Sequence, residues 1–257
     1  MAASGLGRPG RPGFVDVLGS EWAKLRTVRS APRTLAAMAA CVVGIAVFVG
    51  ATESLQPDDT VLGGSLTGAT FGLLVAASFG VLAMSGEYAT GMIRATLTAC
   101  PRRGLVLAAK AAVTAVTLFV AGFGACLAAY LVGAAMLPDG YAQGSPMPAL
   151  VGVALCFSVT GLLGLAAGTL LRHSAGAVTT MVAAILAPSL LGPLLGPWER
   201  WVAGASPVAA LQKLAQSSDA APEVVGSLGA WPSLGLVGAV AAVALLAAAP
   251  VLERRDA

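Results

Sequence analysis

Residues Ala149–Leu171 read ALVGVALCFSVTGLLGLAAGTLL, and none of them is Asp, Glu, Lys or Arg. A run of this length matches the ~20 residues that a helix needs to cross a ~30 Å hydrocarbon core. The rest of the chain points the same way. Of 257 residues, 57% are hydrophobic and only 11% are charged, with a mean hydropathy of +0.85. Soluble domains average about 25% charged residues, so the solvent to reason from is lipid.

Five more windows carry no charged residue: Thr34–Ala51, Val61–Ser85, Ala111–Leu137, Ala175–Leu195 and Pro232–Leu252. Helices satisfy their own backbone hydrogen bonds in lipid, so each window is expected to be a helix. The fold expected is therefore an all-α integral membrane protein, with six transmembrane helices over residues 31–257. Residues 1–13 are rich in Gly, Pro and Arg and are expected to form a disordered cytoplasmic tail. A cleaved signal peptide is not expected, because the first window opens only at Thr34 and exceeds a typical signal core.

Charge sets the orientation. One side of the six windows holds Arg8, Arg11, Lys24, Arg26, Arg29, Arg33, Arg94, Arg102, Arg103, Lys110, Arg172, Arg254 and Arg255, which leaves Arg200 and Lys213 of the 15 cations. The positive-inside rule makes the rich side cytoplasmic and puts both termini there. A net charge of +3 distributed in this way is a topology signal and gives no reason to expect a nucleic acid partner. Cys41, Cys126 and Cys156 fall inside windows and Cys100 in a reducing loop, so no disulfide framework is expected. Cys100 is expected to report topology through an impermeant thiol reagent.

Between the tail and the first window, Phe14–Ser30 places Phe14, Val17, Leu18, Leu25 and Val28 on one helical face, with Trp22 at its edge. That pattern predicts an amphipathic helix over 14–30 lying in the membrane interface. Glu21 interrupts the face; it can snorkel, pair with Lys24 three residues on, or meet a cation on a neighbouring element. On the outer side, Trp198, Trp201, Val202, Ala205 and Ala209 share a projected face, which predicts a short interfacial or re-entrant helix in 196–231, broken or bent at Pro207. Pro188, Pro193 and Pro197 should stop or kink the fifth span.

Gly64, Gly68, Gly72, Ala76 and Gly80 recur every fourth residue, and Gly161, Gly164 and Gly168 form a looser set. Small residues at this spacing let membrane helices approach closely, within the bundle or across a dimer. The chain has no phosphate-binding loop, and its lone histidine, His173, is read as interacting with a helix C-terminus. No catalytic residue, metal site or bound cofactor is expected. With no ionisable residue inside any window, a proton-coupled carrier also lacks its usual relay.

The polar interruption Gly86–Gly104, GEYATGMIRATLTACPRRG, lies between windows two and three. Burying its four charges in lipid would cost about 10 kcal/mol at ~2.5–3.5 kcal/mol each. As one helix, it places Glu87, Gly91, Arg94 and Thr98 on a polar ridge and Met92, Ile93, Leu97 and Cys100 opposite, with Pro101 ending it. On periodicity alone this is an amphipathic connector resting on the membrane.

The stretch 87–110, EYATGMIRATLTACPRRGLVLAAK, resembles the cytoplasmic loop of ABC-2 permeases, the membrane subunits of certain ATP-binding-cassette transporters. These commonly show Glu-Tyr/Phe-x-x-Gly-Thr/Met-Ile/Leu-Arg, then a Pro-Arg-Arg-like turn, then a Lys opening the third span. SEWAKLRTVRS, Ser20–Ser30, is similar to the matching segment of the actinobacterial branch. A Leu-Pro-x-x-Ala element common before the family's last span is replaced here by Ala205-Ser206-Pro207-Val208-Ala209-Ala210.

The resemblance implies that the 86–104 loop is a coupling helix docked on a separate cytoplasmic ATPase, which would hold ATP and Mg2+. It makes Glu87, Tyr88, Gly91, Arg94 and Thr98, with Glu21 and Lys24 of the first helix, the candidate partner interface. It further implies a dimer with a second permease copy or homologue in a bacterial plasma membrane, an exporter's role, and no enzyme activity of this chain's own. Glu87→Lys is then expected to leave the protein inserted but inactive. The rival readings are a secondary transporter and a non-transporting scaffold or anchor.

Overall fold

A computed structural model of the chain describes residues 13–55, 59–137 and 140–255. Of the expected tail, residues 1–12 lie outside the described residues, and Gly13 forms the N-cap of α1. Every α-helix of the described chain follows in order: α1 Phe14–Thr27, α2 Ser30–Thr52, α3 Val61–Ser65, α4 Ala69–Thr90, α5 Met92–Ala99, α6 Arg103–Met136, α7 Pro146–Leu171, α8 Ser174–Leu191, α9 Glu199–Gly204, α10 Pro207–Ala215, α11 Pro222–Val225 and α12 Ala230–Arg255. Short 3-10 turns occupy Gly192–Trp198 and Ser218–Ala220. Six helical stretches are long and apolar enough to cross a membrane: α2, α4, α6, α7, α8 and the stretch ending in α12. This is an all-α, multi-pass membrane protein.

α7 is the axis of the bundle. Its most apolar window is 72% buried, against 17% for α8, which lies at the edge. α7 carries no charge and presents Gly161, Gly164 and Gly168 to α4. A Cβ on Gly80 of α4 would stand 1.8 Å from the Gly161 carbonyl oxygen, and one on Gly164 would stand 2.1 Å from that of Ala77. The two backbones touch, which only glycine permits here. Phe157, fully buried, fills the space opened by Gly72 and Gly122. The start of the stripe lies ahead of α4 and turns elsewhere, with Gly68 against the Cys41 and Val42 carbonyls of α2 and Gly64, in α3, against Leu55.

Three element boundaries differ from expectation. The second window is two helices: the Thr60 hydroxyl accepts from Gly63 N at 2.9 Å to cap α3, and the chain turns at 66–68 before α4 begins. α4 then runs on to Thr90, and α6 opens at Arg103 instead of Ala111. Glu87 and Lys110 therefore sit inside the helices that form the second and third spans. A reading that ended each span at the first charge excluded them.

The expected Trp-bearing face of 196–231 forms in part. Trp198, Trp201, Val202 and Ala205 are exposed in and beside α9, the helix is broken before Pro207 as expected, and Ala209 falls on the buried side of the next helix. The segment breaks after Gly204, where the Ser206 hydroxyl accepts from Ala209 N at 3.0 Å and Pro207 starts α10 afresh. α10 is held by Lys213, whose ammonium donates to the Val225 and Leu228 carbonyls, both at 2.8 Å, and to Ser233 Oγ at 3.2 Å. Burial pushes the Lys213 pKa down.

His173 likewise serves the other helix end. Its Nδ1 accepts from Gly176 N at 3.0 Å, capping the N-terminus of α8 instead of the C-terminus of α7.

Candidate functional site

Arg103 donates to the Leu252 carbonyl at 2.7 Å, so the start of α6 and the end of α12 meet at one end of the bundle. α1 and α5 pack at that same end. α1 docks on α6 through Val17, which clusters with Cys100, Val106 and Ala109. It buries only the middle of its apolar stripe: Val17 is buried and Leu18 and Leu25 are partly so, while Phe14, Trp22 and Val28 stay about half exposed. The buried face runs through Val17 and Glu21.

Glu21 is 3% exposed, Glu87 7% and Lys110 5%. Lys24 Nζ reaches Glu21 Oε1 at 2.6 Å, Glu87 Oε1 at 3.1 Å and Thr96 Oγ1 at 2.8 Å. Lys110 Nζ reaches Glu87 Oε1 at 2.8 Å and also pairs with Glu21 Oε2. Two carboxylates and two ammonium groups thus alternate in a closed ring that ties α1, α4 and α6 together, with α5 attached through Thr96. The ring pairs two acidic with two basic side chains, so the cost of burying each is offset by its neighbours. Burial alone would lower the Lys24 pKa, but its hydrogen bond to Glu21 and the charges of Glu21 and Glu87 outweigh that and raise it.

Glu21 accordingly meets both a helix neighbour and a cation on another element, two of the outcomes its odd position allowed. Lys110 is the partner that sequence reasoning missed as a site residue. The signal was present: an isolated cation in LVLAAKAAV, facing an isolated carboxylate on an apolar face.

The single polar ridge expected from Glu87 through Thr98 is divided. Gly91 adopts φ 69°, ψ 4°, ending α4 and starting α5 at once. Glu87 turns inward, whereas Arg94 and Thr98 stand exposed on α5 opposite the buried Ile93. Tyr88 is partly buried, its ring 4.9 Å from the Arg172 guanidinium. Of the expected interface, Arg94, Thr98 and Gly91 face outward, while Glu21 and Glu87 are enclosed by the chain itself. Glu87→Lys would leave three cations against one carboxylate in this ring, so it tests stability before it tests coupling. Cys100 is buried as well, which removes its use as a label.

A cavity of about 280 Å³ opens beside the ring, between α1, α2, α4 and α6. Among the described residues no group of His, Cys, Asp or Glu could hold a metal ion. No protein-family model matches the chain, and no curated protein matches it.

Proposed function

We propose that this chain is the membrane-spanning permease subunit of an ATP-driven exporter of the ABC-2 type. It lies in a bacterial plasma membrane with both termini in the cytoplasm, works as a dimer, and leaves ATP hydrolysis to two separate subunits. The observation that carries this reading is α5: an amphipathic helix joined to a spanning helix through one residue, with Arg94 and Thr98 outward and Thr96 bonded to α1. A motion imposed on such a helix reaches three other helices through direct bonds. The likeness of residues 20–30 and 87–110 to that family supplies the identity of the partner.

The experiment is gentle solubilisation of the tagged protein and identification of what co-purifies. A stoichiometric nucleotide-binding subunit is expected, and Arg94→Glu should reduce its recovery with the chain still inserted. Purification of the chain without any such subunit would overturn the reading.

One observation favours a second reading. Glu87 and Lys110 are ionisable, buried and inside spanning helices, where such groups commonly serve ion relays. A secondary transporter would move substrate under a proton gradient with no ATPase subunit present, which separates the two.

A further inference from the structure

Six residues of α4 line the cavity: Phe79, Leu82, Ala83, Gly86, Glu87 and Thr90. Spacings of three and four put them on one helix face, so the cavity is a slot that runs along α4. Thr90 lies eleven residues after Phe79, which is about 16 Å of helix at ~1.5 Å per residue. That is about half of a ~30 Å hydrocarbon core, the depth of one leaflet. Spread over that length, the cavity's volume of about 280 Å³ averages roughly 17 Å² in section. A section about 4 Å across admits a single file of carbon atoms at van der Waals contact.

The two ends of the slot differ. Toward Phe79 the walls are Leu82, Ala83 and Val113, all apolar. Toward Thr90 the slot meets Ser30 and the ring. Leu82 lines the apolar part and is 38% exposed, so a chain can enter sideways from the hydrocarbon around the spans. Cations frame the polar end. Arg29 precedes Ser30, Arg33 follows one turn later, and Arg94 comes two residues after Met92, which also lines the slot; all three arginines are exposed. No Asp or Glu occurs within residues 24–52 or 88–138, so both framing segments carry cations alone.

We propose that the slot holds one acyl chain of an anionic phospholipid, drawn from the leaflet at this end of the bundle. The chain's methyl end lies toward Phe79, and the headgroup stays outside the slot among Arg29, Arg33 and Arg94. Charge selects the head, because cations at a membrane surface favour anionic lipid. The occupant needs no bond to the ring, which only closes one wall. The inference rests on the six helices as spans and not on the transport reading.

The test uses the purified full chain in a non-ionic detergent, with dioleoyl-phosphatidylglycerol as the probe and native mass spectrometry as the readout. One phosphatidylglycerol should be retained per chain, about tenfold more tightly than dioleoyl-phosphatidylcholine, as two or three cations beside the head imply. Lysophosphatidylglycerol, which keeps one acyl chain, should compete for the site, and glycerophosphoglycerol, which has none, should not. A Cβ on Gly86 meets nothing within 4 Å. Gly86→Leu should therefore fill the slot and weaken retention by about tenfold or more, as loss of the buried chain's apolar contact implies, with helix content and melting kept. Ala83→Phe fills it from the next turn if Gly86→Leu does not fold. Arg29→Gln with Arg33→Gln changes exposed residues only and should bring the two phospholipids to within about twofold of each other. No retained lipid, equal retention of phosphatidylcholine, failure of the single-chain lipid to compete, competition by glycerophosphoglycerol, undiminished retention in a folded filled variant, or an unchanged preference in the arginine variant would each overturn the proposal.

Discussion

Lys110 Nζ lies 2.8 Å from Glu87 Oε1, joining the second and third spans by an ion pair that neither helix could carry alone. Each ion would otherwise be stranded in an apolar bundle. The first prediction follows from that mutual dependence. Lys110→Met leaves two carboxylates with only Lys24 and should cost about 3–5 kcal/mol, the usual penalty for breaking a buried pair. Adding Glu87→Gln should restore a good part of it. Denaturant melts of the two variants in detergent check this, and a double variant no better than the single one would contradict the ring.

Lys24 gives a pH dependence of definite sign. Its pKa is raised above 10.5 on folding, so folding favours the charged form. The stability it contributes is complete below 10.5 and is lost as pH rises through the higher folded value. Glu21, Glu87 and Lys110 all face this group. In a chain keeping Trp22 as its sole tryptophan, emission should hold steady to about pH 10.5. It should shift above that as α1 loosens. Lys24→Met should weaken α1 below about pH 10.5, approach the natural chain above the transition, and lose this part of it.

The α4–α7 contact predicts opposite outcomes for two glycines. Gly80→Ala puts a methyl group into the Gly161 carbonyl and should destabilise by roughly 1–3 kcal/mol or more, as overpacking does. Gly124→Ala in α6 meets nothing within 4 Å and should be neutral or stabilising, since alanine favours helix by about 1 kcal/mol over glycine. Thermal melts of the two proteins under one condition decide it.

Thiol labelling maps α5. In the natural chain Cys100 should react slowly, because it is buried against Val17 and Val106. Thr98→Cys, two residues away and exposed, should label rapidly in a Cys100→Ser background, and from the cytoplasmic face alone if the charge asymmetry sets the orientation. Equal rates at the two positions would put α5 elsewhere.

The spans were legible because hydropathy is a local property that runs of twenty residues state plainly. Their ends were not. A charge normally marks where a helix leaves lipid, but Glu87 and Lys110 cancel each other across two helices, and pairing across distance leaves no trace in either segment. The glycine sets on α4 and α7 were visible singly for the same reason, while the meeting of Gly80 with Gly161 was not. In the outer segment the helical projection held as far as Ala205 and failed for Ala209, because Ser206-Pro207 is a start signal that cuts through the five residues taken as one face. Glu21 was the most informative single residue, since a carboxylate on an apolar face requires a partner somewhere.

The junction at Gly91 fixes how many ways this end of the protein can move. α4 and α5 share a single connecting residue, so the angle between them is governed mainly by its two torsions. The Lys24 ammonium spans that joint, bonded to Glu87 on one side and Thr96 on the other. Opening the joint must therefore stretch one of those bonds or carry α1 along. Three helices that look separately mounted are tied into one moving unit, and the assembly behaves as a crank on a single bearing.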